Sequence, residues 1–276
     1  MKKYTEYVVE VKNHRVAFVT DIHNCHIEYY DQTSGLNTVA RMEHLAKCMT
    51  KEYDRVNYDC ILALGDYSLD FWKWNCGGTY LMDPPVSKTE EFVKMIDGKL
   101  PVRMFMIPGN HEQYSNEDWI RITGYPREFV VVYGEYVFLM LDTYAGELDP
   151  DYNHDGVYTG VNMEILNAVL EDYPDRKIIL CVHEFLPEKE SEELREVINR
   201  EKRIICAFAG HTHRDNTFIL PFEWRSLPVF YCGDFSYHGG REHKRNWGFR
   251  TLSVPQGKFS TEYIPALLEV KKPAQN

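Results

Sequence analysis

The order of the residues predicts an α/β fold, and three observations carry that expectation. Five short apolar runs with strand character each end in a side chain able to bind a metal ion. Between the first two, apolar residues recur at helical spacing. In mid-chain, Phe129-Val130-Val131-Val132-Tyr133 and Tyr136-Val137-Phe138-Leu139-Met140-Leu141 are separated by Gly134-Glu135, the clearest hairpin signal present. Strand, loop, helix and strand in succession build sheets with ligands at the strand carboxyl ends. The hairpin marks a change from such units to paired strands.

Taken in order, residues 7–20 contain two β-rich runs broken at Lys12-Asn13-His14, which predicts a hairpin feeding Asp21-Ile22-His23. Leu36, Val39, Met42, Leu45, Ala46 and Met49 predict an amphipathic helix over residues 35–53. Asn57-Tyr58-Asp59 then introduces Ile61-Leu62-Ala63-Leu64, which runs into Gly65-Asp66. Residues 71–80, followed by Pro84-Pro85, read as a loop insertion anchored by its own aromatics, with a lid over the substrate as the functional alternative. A helix over 89–96 precedes Met104-Phe105-Met106-Ile107, which leads to Gly109-Asn110-His111-Glu112, and a helix over 116–123 follows. After the hairpin, a helix over 161–170 leads to Ile178-Ile179-Leu180-Cys181-Val182 and His183. The run Ile204-Ile205-Cys206-Ala207-Phe208-Ala209 then delivers Gly210-His211-Thr212-His213. Two imidazoles one residue apart cannot share a helix face, but at a strand end both can point into one cavity. Short strands at Pro228-Val229-Phe230-Tyr231 and Phe249-Arg250-Thr251-Leu252 alternate with turns before a solvated tail. One domain is expected, with its core over about residues 14–265.

A net charge of −11 argues against a surface built to neutralise nucleic-acid phosphates. Neither a signal-peptide core nor a bilayer-length apolar run is visible, so no membrane association and a cytoplasmic location are expected. The 7 cysteines are odd in number, lack CxxC spacing and sit largely in apolar runs, which predicts reduced core thiols.

Asp21, His23, Asp66, Asn110, His183, His211 and His213 exceed a single tetrahedral ligand set, and so suggest two adjacent ions sharing one carboxylate. Four imidazoles with carboxylates admit Mn, Fe, Zn, Ni or Co, as divalent or mixed-valence ions. The loop Asp151-Tyr152-Asn153-His154-Asp155-Gly156 opens like a calcium loop, but Asn162 stands where a bidentate glutamate belongs, so an ordinary acidic turn is preferred.

The ordered set Asp21-Ile22-His23, Gly65-Asp66, Gly109-Asn110-His111-Glu112, His183 and Gly210-His211-Thr212-His213 resembles the calcineurin-like metallophosphoesterase superfamily. Any one motif is weak; five in order, each after an apolar run, are specific. The resemblance implies a four-layer sandwich, two mixed β-sheets face to face with helices outside and a dinuclear metal site at strand ends. It further implies Asp21, His23 and His213 on one ion, Asn110, His183 and His211 on the other, and Asp66 bridging. His111 matches the family's non-ligand histidine, which serves the leaving oxygen, while a metal-bridging hydroxide attacks phosphorus in line. Against the pattern of the serine/threonine phosphatases, Leu69 stands three places after Asp66 and Pro108 precedes Gly109. That departure favours the branch acting on small-molecule phosphomonoesters or phosphodiesters. It leaves Asp70 and Glu112 both open as the residue orienting His111.

Singly, a histidine after a strand is usually structural and Gly-Asp usually only a turn. Coincidence in the right order is what that bland reading cannot supply. A non-catalytic metal-binding interaction module would be marked by missing ligands, and a nuclease by a basic groove; neither mark is visible. A metal-dependent regulatory or storage protein would bind metal without turnover. Arg214, His26, Tyr237, His238, Arg241 and Arg245 are within loop reach of a phosphate, although solvated pairing is their commoner fate.

Overall fold

The computed structural model describes residues 2–25, 36–71, 87–144, 156–236 and 247–266. Within them, β1 (Thr5–Val8), β5 (Phe129–Tyr133), β6 (Tyr136–Met140), β7 (Lys177–Cys181), β8 (Ile204–Ala209), β10 (Pro228–Tyr231) and β9 (Thr217–Ile219) form one sheet in that spatial order. The second sheet runs β12 (Ser260–Pro265), β11 (Gly248–Ser253), β2 (Arg15–Val19), β3 (Cys60–Ala63) and β4 (Met104–Met106). Both are mixed: β2, β3 and β4 are parallel, as are β6, β7, β8 and β10, with antiparallel strands added at their flanks.

Side-chain alternation shows why two layers of helix are needed. Along β5 to β8 of the larger sheet, Val131, Phe138, Ile179, Cys181, Cys206 and Phe208 face the smaller sheet. Val130, Val137, Leu139, Ile178, Leu180 and Ala207 face the other way. There they meet Leu166 and Val169 of α4 (Met163–Asp172) and Leu194 and Ile198 of α5 (Glu192–Arg200). On the opposite side, Met42, Leu45 and Met49 of α1 (Thr38–Val56) and Phe92 of α2 (Lys88–Ile96) pack into one buried cluster with the strands of the smaller sheet. Phe18 of β2 stacks on Phe208 of β8, centroids 4.0 Å apart and 4° from parallel, tying the sheets together.

Local chemistry sets the helix ends. Asn37 caps α1 by accepting from Ala40 N, and Ser87 caps α2 by accepting from Glu90 N. Ser115 caps α3 (Asn116–Thr123), which Gly124 ends in the left-handed conformation, φ 77°.

One expectation is overturned. Residues 7–20 do not form a hairpin: β1 lies parallel to β5 in the larger sheet, whereas β2 lies between β11 and β3 in the smaller one. The link between them is instead pinned by Asp59, whose carboxylate accepts from Lys12 N and Asn13 N. The hairpin at Gly134-Glu135 is present, with Tyr133 opposite Tyr136. The loop at 72–86, the acidic turn at 151–155 and the tail beyond 266 lie outside the described residues. Of the cysteines, Cys25, Cys60, Cys181, Cys206 and Cys232 are buried and Cys48 half-buried, all as free thiols; Cys76 lies outside the described residues.

Candidate metal centre

All seven candidate ligands converge, and each sits just beyond the carboxyl end of a parallel strand: β2, β3 and β4 from one sheet, β7 and β8 from the other. Asp21, His23 and His213 form one group whose ligand atoms lie within 4.8 Å of one another, and Asp66, His183 and His211 form a second. Asp66 Oδ2 joins them, 3.2 Å from His23 Nε2 and 3.1 Å from His183 Nε2. Asn110 Oδ1 completes the second group, 2.9 Å from His183 Nε2 and 3.0 Å from His211 Nδ1. His111 Nε2 stands farther off, 3.7 Å from Asp66 Oδ2, and could form a third group with His23 and Asp66.

The backbone is bent to make this possible. Asp21, His23, Asp66, His211 and His213 all adopt positive φ, between 50° and 64°. Each such non-glycine residue costs about 1 kcal/mol or more, and strain of this kind collects at functional sites. The motif glycines have a different reason. A Cβ on Gly65 would lie 2.5 Å from Gly109 N, and one on Gly109 would strike the Asp66 carboxylate. One on Gly210 would lie 2.7 Å from Asp21 Oδ2. These glycines are contact points between loops.

Glu112 holds the crossing. Its carboxylate accepts from the amides of Asp66 (2.8 Å), Tyr67 (2.9 Å), Ser68 (3.0 Å) and Gly109 (2.8 Å). Burial and the neighbouring Asp66 charge push its pKa up to about 7. Four amide hydrogens nonetheless occupy its acceptor positions, so the ionised form is the one the turn is built around. Asp70 is similarly committed, Oδ2 accepting from Ser87 Oγ at 3.0 Å, from Lys88 N at 2.8 Å and from the Tyr114 hydroxyl. Both acids therefore brace the loops that carry Asp66 and His111.

Protonation follows from burial and pairing. Burial opposes ionisation of Asp21, yet His213 beside it holds the pKa down at about 2; Asp66 is likewise held low by His183 and His111 against its burial. Burial lowers His23 to about 3 and also lowers His211, leaving both as neutral donors. For His183 and His213 burial is outweighed by Asp66 and Asp21, which raise them to about 10 and about 9. Pairing with Asp66 and Asp21 thus favours the charged forms of His183 and His213, while burial favours the neutral forms of His23 and His211. Metal ligation needs the neutral imidazole, so cations would compete with protons here.

The donor set fits metal. Among the described residues Asp21 Oδ1 accepts no hydrogen bond and faces His213 Nε2 at 3.2 Å and His23 Nε2 at 3.8 Å. His183 turns Nδ1 to Leu64 O at 2.7 Å, freeing Nε2 towards Asp66 and Asn110. His213 turns Nδ1 towards Asp234 Oδ2 at 3.4 Å.

A model of the family described as calcineurin-like phosphoesterase matches residues 14–215. The chain belongs to that family. No curated protein matches it in sequence. Among solved structures it resembles a Staphylococcus aureus protein provisionally assigned as a 5'-nucleotidase and solved with alpha-ketoglutarate, at TM-score 0.55 and 17% identity. That match covers 93% of this chain and 55% of the other, so this chain spans about half the length of that relative. GAP50, the anchor in the inner membrane complex of Plasmodium, matches at TM-score 0.48 and 14% identity over 91% of this chain and 84% of its own. A Mycoplasma pneumoniae phosphatase matches at TM-score 0.46 and 12% identity over 91% and 92%. At 17% identity the likeness to the Staphylococcus aureus protein is one of fold alone. Membership in the calcineurin-like phosphoesterases supports phosphoester hydrolysis and metal dependence, and the buried His/Asp cluster can hold the metal.

Several side chains around this candidate centre carry no motif. Arg41, fully buried on α1, donates to the carbonyls of Ile22, Phe235 (2.6 Å) and His23 (3.2 Å), clamping the first ligand turn. Arg127 donates to Asp142 Oδ2 at 2.5 Å, Tyr114 O at 2.8 Å and Glu112 O at 3.0 Å. Asp142 and Asp234 follow strands exactly as the ligands do, Asp234 even as Gly233-Asp234, so the same strand-end signal marks them. Glu184 was hidden beside His183. Arg214 is exposed, and the other proposed phosphate contacts lie outside the described residues. Arg127→Met would leave the Asp142 carboxylate buried and unpaired, at a cost of about 3–5 kcal/mol. Calorimetry should show a Tm lower by roughly 10 °C, with much of it regained in Arg127→Met/Asp142→Leu; an unchanged Tm would contradict the clamp.

Proposed function

We propose that the chain hydrolyses a phosphomonoester or phosphodiester of a small molecule or nucleotide, using two metal ions. The observation that carries this is the position of Asp66, whose Oδ2 lies 3.1–3.2 Å from one histidine of each ligand group. In this reading Asp21, His23 and His213 hold one ion, Asn110, His183 and His211 the other, and Asp66 is shared. Two such ions supply a hydroxide nucleophile at neutral pH and neutralise the phosphoryl oxygens. His111 gives a proton or hydrogen bond to the leaving oxygen; its greater distance from Asp66 and its 10% side-chain exposure suit a residue facing substrate. His211 and His213, 35% and 22% exposed, mark the open side from which substrate approaches.

Every ligand position is filled, which favours catalysis over a non-catalytic interaction module. The acidic chain, at net charge −11, favours a small substrate over a nucleic acid. Among the described residues no helix is long and apolar enough to cross a membrane. The free thiols support a cytoplasmic setting.

The test is hydrolysis of paired chromogenic phosphomonoesters and phosphodiesters by metal-stripped protein, with Mn, Fe, Zn, Ni or Co restored separately. Nucleoside monophosphates join the panel because of the assignment of the Staphylococcus aureus protein. Turnover is expected only with metal restored. Diester preference would direct attention to cyclic nucleotides and related diesters, monoester preference to nucleotide or sugar phosphates. Two tightly bound ions with no turnover of any substrate would replace this reading with the binding-module one.

A further inference from the structure

Each ligand histidine on β7 and β8 needs its second ring nitrogen satisfied, and the partner of His211 is a side chain that no motif assigns. His211 Nδ1 faces Asn110 Oδ1 at 3.0 Å, while Nε2 on the far side of the ring lies 3.1 Å from Glu184 Oε1. Glu184 is itself held. Its Oε2 accepts from the Tyr144 hydroxyl and its backbone carbonyl accepts from Thr143 Oγ1 at 3.2 Å. Tyr144 is buried, edge-on to Tyr158 at 5.5 Å, and Gly156 approaches so closely that a Cβ there would lie 3.2 Å from its ring. The pairing follows from sheet register: Cys181 of β7 pairs with Phe208 of β8, so Glu184 and His211 each lie three residues beyond that pair. Gly210 N, bonded to His183 O at 2.8 Å, continues the alignment past the strand ends.

We propose that Glu184, braced by Tyr144, is a positioning residue that keeps the proton of His211 on Nε2 and so offers Nδ1 to the second metal ion. This rests on the two-ion reading above. A neutral imidazole can carry its proton on either nitrogen, and an acceptor on one side selects the tautomer, turns the ring and strengthens the donor opposite. His183 obtains the same service from a backbone carbonyl, which substitution cannot remove; Glu184 performs it with a side chain and is open to test.

The experiment is calorimetric titration of metal-free protein with Co2+, alongside long-range 15N spectra of the His211 ring without metal. Wild type should bind two ions and show His211 protonated on Nε2. Glu184→Leu should weaken one ion about 10–100-fold, leave the other within threefold and mix the tautomers. Glu184→Gln, which keeps an acceptor oxygen, should restore most of the affinity. Tyr144→Phe, which loses only the bracing hydroxyl, should give a smaller loss at the same ion and covers the case of a poorly folded Glu184→Leu. Equal affinities and an unaltered tautomer in Glu184→Leu would overturn the role. Glu184→Gln as damaged as Glu184→Leu would overturn it in favour of direct ligation. Fewer than two ions on wild type would overturn the two-ion reading, and this inference with it.

Discussion

Asp66→Asn is expected to lose one of two bound ions and about three orders of magnitude in turnover. The change preserves shape, so the loss would be one of charge. Asp66 Oδ2 lies within 3.1–3.7 Å of His23, His183 and His111, and its main chain is held by Glu112 and by a positive φ of 58° that asparagine also tolerates. An amide cannot bridge two cations as a carboxylate does, whereas Asp21, His23 and His213 would still serve one ion. Withdrawing a metal's charge from a phosphoryl transition state removes several kcal/mol of stabilisation, and each 1.4 kcal/mol is tenfold in rate. Metal analysis of dialysed protein, paired with kcat on the best substrate of the panel, checks both halves. Two ions and full activity would break the assignment of Asp66.

His111→Ala should behave in the opposite way, keeping metal content while turnover falls about 10²–10⁴-fold. His111 lies at the margin of the cluster, its amide donating to Asp66 Oδ1 at 3.2 Å and its ring edge-on to His23 at 5.3 Å. Removing the ring leaves every ligand in the two groups named above. Leaving-group dependence separates the two roles open to it. An aryl ester releases an oxygen already stable as an anion and should lose little, whereas an alkyl ester needs the proton and should lose most. Loss of an ion in His111→Ala would make His111 a ligand, as its proximity to His23 and Asp66 allows.

The parts of this site legible in the sequence are those that local rules govern. An apolar run followed by Gly-Asp, Gly-Asn-His or Gly-His-Thr-His announces a strand and the turn after it, and Gly134-Glu135 announces a hairpin. Helix α5 has no counterpart among the helices expected from the sequence, although its buried residues Leu194, Val197 and Ile198 do repeat at helical spacing. The hairpin expected over residues 7–20 failed because pattern identifies strands without saying which sheet receives them.

One-dimensional order was therefore sufficient for the α/β class and for the strand ends at which the His, Asp and Asn side chains gather, since strand period and turn chemistry act over a few residues. Only the folded chain decided which glycine presses on which carboxylate and which buried arginine clamps which turn. It alone paired Glu184 with His211 and Asp234 with His213. Those contacts join residues far apart in sequence, through the meeting of two sheets at one end. No local spacing encodes such a meeting, because it is set by packing between layers.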